Sequence, residues 1–124
     1  MILVDTSVWI NHLRHGDVDL TRLLNAGQVL THRFVIGELA LGSLQNRLIV
    51  LSALQNLPQA IVASDEEVLH FIDGHALFGT GIGYIDAHLL AATRLSPGAL
   101  LWTHDKRLLA ESVRLGLCMN LRNL

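Results

Sequence analysis

The sequence predicts an α/β fold, with helices on both faces of a short central parallel sheet. Two observations predict it. Short apolar runs recur along the chain, Ile2-Leu3-Val4, Val29-Leu30-Thr31 and Ala99 to Thr103, each short enough to be a buried strand. Between them lie segments whose leucines return at helical spacing, and strands that alternate with helices make a parallel sheet between helical layers.

Each element has its own signal. Ile2-Leu3-Val4 ends at Asp5, after which Thr6 or Ser7 can cap a helix running to about Arg14, with Gly16 closing it. Asp19 to Asn25 reads as a second helix carrying Leu20, Leu23 and Leu24 on one face, with Gly27 just past its end. Phe34 to about Leu57 is helical, as two helices meeting near Gly42-Ser43 and stopped at Pro58. Ala60 to Ala63 reads as a further strand. Ser64 and Glu67 form a capping box that opens a helix towards Leu77. Gly79, Gly81 and Gly83 make a loop before a helix from Tyr84 to Leu95, and Ser96-Pro97-Gly98 is a turn. After the strand from Ala99 come a helix from Lys106 to Leu115 and a last short strand over Leu117 to Asn120.

Composition bounds the function. The chain has 124 residues, which reads as one domain over 1–124. Hydrophobic residues make up 51% and charged ones 16%, but the longest uncharged stretch, Leu48 to Ser64, is broken by Pro58 and amides. A membrane span wants about 20 mostly apolar residues, so no membrane segment is expected. Asp5 interrupts the N-terminal apolar run, so no secretory leader is expected and the location reads as cytoplasmic. The single cysteine, Cys118, excludes an internal disulfide and a multi-cysteine zinc site. A net charge of −2 argues against coating nucleic acid by bulk positive charge. Two divalent cations would turn it to +2, and every basic residue except Lys106 is an arginine, the side chain suited to bidentate phosphate contacts.

The eleven acids sort by neighbourhood. Asp17 and Asp19 precede or open a helix, and Asp65, Glu66 and Glu67 fill a first helical turn, where acids complement the helix dipole. Asp73 and Glu111 lie among polar helical residues. The other four differ. Asp5 ends an apolar strand, Glu38 and Asp86 sit within apolar helices, and Asp105 stands two residues beyond the strand that ends at Thr103. Lone carboxylates in apolar segments are expensive to bury unless paired or bound to a cation. Any one of them can be a strand-end cap or the partner of a buried arginine. Four together, with too few basic residues in comparable settings, point to a shared cation. Oxygen ligands in this number suit Mg²⁺ or Mn²⁺, ions that serve phosphoryl chemistry. In open parallel sheets ligands sit beyond the carboxyl ends of the strands, which is where Asp5 and Asp105 fall. Thr103 and Ser7 offer hydroxyls to orient a ligand or water, and each can equally be an ordinary strand-end or capping residue.

Other signals carry less. His12 and His15, and His70 and His75, lack the spacing of a hydrolytic zinc motif and read as solvated. His88 and His104 flank candidate acids and read first as structural. The glycines from Gly79 to Gly83 follow a helix, and Tyr84 stands where a dinucleotide loop needs its third glycine. Trp9 and Trp102 flank strands and are expected inside. Arg14, Arg33, Lys106 and Arg107 are candidates for phosphate contact. A phosphatase or receiver-like phosphotransfer domain also places an aspartate at the end of a first strand. The phosphatase pattern wants a second aspartate where Ser7 stands, and the receiver pattern wants paired N-terminal acids that are absent.

These residues resemble those of the PIN-domain nucleases, and within them the VapC-like toxins of bacterial toxin–antitoxin pairs. Ile2 to Ile10 is similar to that family's first strand and acidic turn, and Glu38-Leu39-Ala40-Leu41-Gly42 to its second acidic segment. Asp86-Ala87-His88-Leu89-Leu90-Ala91 resembles the third, and Thr103-His104-Asp105-Lys106-Arg107-Leu108 the fourth. The order matches nearly end to end. Leu108 stands where a phenylalanine is common, and the chain is somewhat short, departures that touch packing rather than chemistry. The resemblance implies a PIN-like three-layer α/β/α sandwich and a Mg²⁺- or Mn²⁺-dependent endoribonuclease, usually dimeric and inhibited by a cognate antitoxin lying in its groove. It implies metal-site roles for Asp5, Glu38, Asp86 and Asp105 and a supporting hydroxyl role for Thr103. A scaffold of the same fold that binds RNA or protein without cutting is the alternative, which the presence of all four acids disfavours. The apolar helices between Phe34 and Leu57 are then natural docking surface for the antitoxin or a second subunit, or plain core.

Overall fold

A computed structural model describes residues 1–120. In chain order its elements are β1 (Ile2–Val4), α1 (Thr6–His15), α2 (Val18–Asn25), β2 (Val29–Leu30), α3 (Arg33–Leu41), α4 (Arg47–Gln55), α5 (Asp65–Gly74), α6 (Tyr84–Leu95), β3 (Leu100–Trp102) and α7 (Lys106–Arg114). The strands form one parallel sheet in the order β2-β1-β3, with Ile2 beside Val29 on one side and Leu100 on the other. The chain therefore leaves β1 towards one edge and returns on the other. The crevice beyond the carboxyl end of β1 is the switch point of the sheet, and Asp5 is the first residue in it.

Helices cover the sheet to complete a three-layer α/β/α sandwich, with α6 against β3 and α5, and α3 packed between α1 and α4. The predicted strands are apolar because they are buried on both faces: Leu3, Val4 and Leu101 are inaccessible. Leu89 and Leu90 of α6 join them in the core, as do Leu20, Leu39 and Leu108 from other helices. Each such side chain contributes roughly 1.5–3 kcal/mol. Trp9 and Trp102 pack inside, as expected.

Four expectations need correction. Ala60 to Ala63 is not a strand. The amide of Ala60 donates to the Thr31 carbonyl at 2.8 Å, which supports a single bridge between Thr31 and Gln59; the next amide, Ile61, turns to the Ser96 hydroxyl at 2.9 Å and the chain leaves the sheet. The last strand is likewise a single bridge, Cys118 beside Leu101, because β3 is only three residues long. The helix after Ser64 ends at Gly74 rather than Leu77. Ala76 takes a left-handed conformation (φ 52°) that returns Leu77 to the core, where its amide donates to Ile72. Finally, α1 is capped neither by Thr6 nor by Ser7. Asp5 holds the cap position, and its side chain makes no cap hydrogen bond. It is turned elsewhere.

Candidate active site

Asp5 is buried, at 5% exposure, at the switch point. Its Oδ2 accepts hydrogen bonds from the Ser7 hydroxyl at 2.8 Å and the Thr103 hydroxyl at 2.7 Å. Thr103 directly follows the neighbouring strand β3, 4% exposed, and its Oγ1 also accepts from the Asp105 amide at 3.0 Å. One hydroxyl thus ties the acid after β1 to the acid after β3. Ser7 completes the bracket by accepting from the His104 amide at 3.0 Å. Two of these bonds join residues 97 and 98 positions apart, and none of the four engages Asp5 Oδ1.

The other acids reach the same region from helices. Asp105 caps α7, its Oδ1 accepting from the amides of Arg107 at 3.0 Å and Leu108 at 2.9 Å. Glu38, on α3, accepts from the Thr6 hydroxyl at 2.7 Å through Oε1, so α1 and α3 are joined beside Asp5. Asp86 enters from the first turn of α6, and its Oδ2 accepts from the Gly83 amide at 3.1 Å. Partial burial raises the Asp86 carboxyl above its ordinary range, and repulsion from Asp5, Asp105 and Glu38 adds to the rise against the stabilising Gly83 hydrogen bond. Asp86 is thus near enough to the other three acids to feel their charge. Each carboxylate is engaged locally, and as the side chains stand no three of them converge tightly enough to hold a cation among the described residues.

Ionised Asp86 thus carries a cost in the folded chain without metal. Asp86→Asn keeps an oxygen for the Gly83 amide and removes the charge, so its thermal midpoint in EDTA at neutral pH is expected above that of the wild type. A group raised on folding is penalised above its folded pKa, and the penalty fades as pH falls towards the unfolded value near 3.9, so the gain should shrink towards pH 4. A lower midpoint at neutral pH would contradict the crowding of the four acids. Thr103→Val, nearly isosteric, should cost about 1–3 kcal/mol by stranding the Asp105 amide and removing a donor from buried Asp5. In differential scanning calorimetry that is a fall of several degrees, and an unchanged midpoint would show that the bridge is idle.

The basic candidates divide. Arg14 lines a groove of about 590 Å³ whose walls include Glu38, Ile10, Leu13 and Val50. Lys106 opens α7 beside Asp105 and is exposed. Arg107 lies over Gly81, 3.4 Å from its carbonyl; a Cβ on Gly81 would meet the guanidinium at 3.0 Å, and its φ of +87° already demands glycine there. Arg33 lines a shallow cavity with Ser64, Asp65, Glu67 and His88 that none of the four acids lines.

Sequence reasoning missed Thr6 as the partner of Glu38 and the Gly83 amide as the partner of Asp86. It also set Asp65 aside, whereas Asp65 Oδ1 accepts from the Tyr84 hydroxyl at 2.7 Å and lies 3.1 Å from His88 Nε2. The dismissed acids otherwise do what their positions suggested: Asp17 caps α2, Asp19 pairs with Arg22, and Glu67 closes the capping box.

A three-layer α/β/α sandwich with a buried aspartate at the switch point of its sheet defines a class, and residues 2–112 match the PIN domain. The chain belongs to the PIN-domain family. Within it the chain is VapC-like: it is 48% identical over 119 residues, 96% of each chain, to Ribonuclease VapC32 of Mycobacterium tuberculosis strain CDC 1551 / Oshkosh, and equally to that of strain ATCC 25618 / H37Rv.

Proposed function

We propose that this chain is a divalent-metal-dependent endoribonuclease, the toxin of a toxin–antitoxin pair, hydrolysing RNA phosphodiester bonds at the site of Asp5, Glu38, Asp86 and Asp105. The observation that carries the reading is the hydrogen-bonded bracket at the switch point of the sheet, in which Ser7 and Thr103 tie buried Asp5 to the turn that bears Asp105. Near-complete alignment with a protein named as a ribonuclease supports it.

The residues fit Mg²⁺ or Mn²⁺ in kind, being all hard oxygen donors, and the repulsion the other three exert on Asp86 is what a bound cation would relieve. When bound, the ion supplies an activated water and charge stabilisation at the scissile phosphate. The chain's own residues prepare for it. Ser7 and Thr103 hold one oxygen of Asp5 and leave the other available to a cation. Thr6 and Gly83 aim Glu38 and Asp86 in the same way. Lys106 and Arg107, at the start of α7, and Arg14, in the groove beside Glu38, bind backbone phosphates and hold the RNA in register; Arg33 serves only a strand long enough to reach its separate cavity.

The antitoxin segment occupies the groove beside Glu38, where Ile10, Leu13, Leu44 and Val50 offer it apolar surface. A homodimer working in the cytoplasm completes the proposal; no helix among the described residues is long and apolar enough to cross a membrane. Incubation of the purified protein with total bacterial RNA and Mn²⁺, with and without EDTA, tests it. Discrete products that disappear with EDTA are expected. RNA binding that ignores chelator and yields no products would make the chain a non-cutting scaffold.

A further inference from the structure

Asp65 opens α5 as an exposed acid, yet two side chains of α6 reach it. The Tyr84 hydroxyl donates to its Oδ1 at 2.7 Å, and His88 Nε2 stands 3.1 Å from the same oxygen. A carboxylate only accepts, so Nε2 carries the proton. Asp65 is 81% exposed and His88 only 2%, so this contact is where a buried ring meets the surface. The ring is boxed on its other sides by Phe34, 4.7 Å away between centroids, Tyr84 at 4.8 Å and His32 at 6.4 Å. Tyr84 and His88 are four apart and share one face of α6, whereas Asp86, between them, points to roughly the opposite side. Phe34 is four residues before Glu38 on α3, so the same box joins the helices that carry two of the four acids.

We propose that Asp65 is a positioning residue for the site: by gripping Tyr84 and His88 it fixes the roll of the first turn of α6 and so the direction in which Asp86 points. The inference rests on the proposed metal site. The hydrogen bonds hold the Asp65 carboxyl below its usual range and the Tyr84 hydroxyl above its own, as a formed contact requires. Without Asp65 the Tyr84 hydroxyl turns to water, but the His88 N–H loses its partner at the edge of the core, and the turn bearing Asp86 loses the side-chain contact that fixes its roll against α5, keeping only the Gly83 hydrogen bond and the helix ladder.

The test is Mn²⁺ affinity, read as loss of the free-ion EPR signal, beside RNA cleavage and the thermal midpoint in EDTA. Asp65→Ala should lose about tenfold in Mn²⁺ affinity and in cleavage at a temperature where it is fully folded, the size typical of groups that orient metal ligands. Asp65→Asn keeps an oxygen acceptor and should stay near the wild type, and Tyr84→Phe should fall between them. Wild-type Mn²⁺ affinity in both Asp65→Ala and Tyr84→Phe would overturn the proposal, as would an Asp65→Asn variant as weak as Asp65→Ala. If the wild type itself binds no Mn²⁺, the metal-site reading falls and takes this one with it; wild-type binding with unaffected variants removes this one alone.

Discussion

Replacing Asp5 with asparagine is expected to abolish RNA cleavage while leaving the fold intact. Asp5 is buried, with one oxygen fixed by two hydroxyls. Asparagine keeps a carbonyl that can accept from Ser7 and Thr103, so the bridge between β1 and β3 survives. What it loses is the charge that the proposed cation site needs. Removing one preorganised electrostatic contact to a transition state costs about 10²–10³ in rate, and a direct metal ligand should cost at least that. Stability should hold or rise in EDTA, since one of four crowded charges is gone. The check is a single-turnover cleavage assay beside a melting curve. Normal cleavage would remove Asp5 from the site, and loss of both activity and fold would make its role structural.

The second large effect is acid lability centred on His32. This ring is inaccessible, its Nδ1 accepts from the Phe34 amide at 3.0 Å to cap α3, and its Nε2 has no hydrogen-bond partner among the described residues. Burial above all, then repulsion from His88 and Arg33, lowers its pKa from 6.5 to about 4. A proton on Nδ1 would also break the cap. Between those two values the unfolded chain binds the proton and the folded chain does not, so stability is fully present above 6.5 and is lost as pH falls towards 4. A shift of that size corresponds to roughly 3 kcal/mol at most. Urea unfolding at pH 7 and pH 4.5 measures it. His32→Asn preserves the cap acceptor, lowers stability at pH 7 by leaving a cavity, and should flatten the pH dependence over this window. Parallel wild-type and variant curves would assign the lability elsewhere.

Much of the candidate site was legible because its residues violate their local context. Asp5 interrupts an apolar run, and Glu38 and Asp86 sit among apolar helical neighbours, so each stands out without any structure. Asp105 was legible by position, beyond a strand, although its observed hydrogen bonds are those of an ordinary helix cap. The parallel sheet followed from the alternation of short apolar runs with helices. What stayed hidden depends on pairings across the fold. Nothing local says that the Thr6 hydroxyl meets Glu38, 32 residues on, or that Tyr84 returns to Asp65, 19 residues back. Asp65 was easy to dismiss because a first-turn acid already has a reason to exist. The Ala60 to Ala63 run looks like a strand, and only the Ser96 hydroxyl, 35 residues away from Ile61, draws it out of the sheet.

The family also settles a choice the first strand leaves open. An aspartate after β1 suits phosphotransfer domains as well, but the match to the PIN domain over residues 2–112 and the Ser7 hydroxyl bound to Asp5 put this chain elsewhere.

The central claim is that Asp5, Glu38, Asp86 and Asp105 form one cation site. Crystals soaked in MnCl₂ and measured at the manganese absorption edge test it most directly. The account predicts an anomalous peak at the carboxyl end of β1, about 2.1 Å from oxygens of Asp5 and at least one of the other three acids, and lost in Asp5→Asn. A peak bound only elsewhere, or none at saturating Mn²⁺, would contradict it.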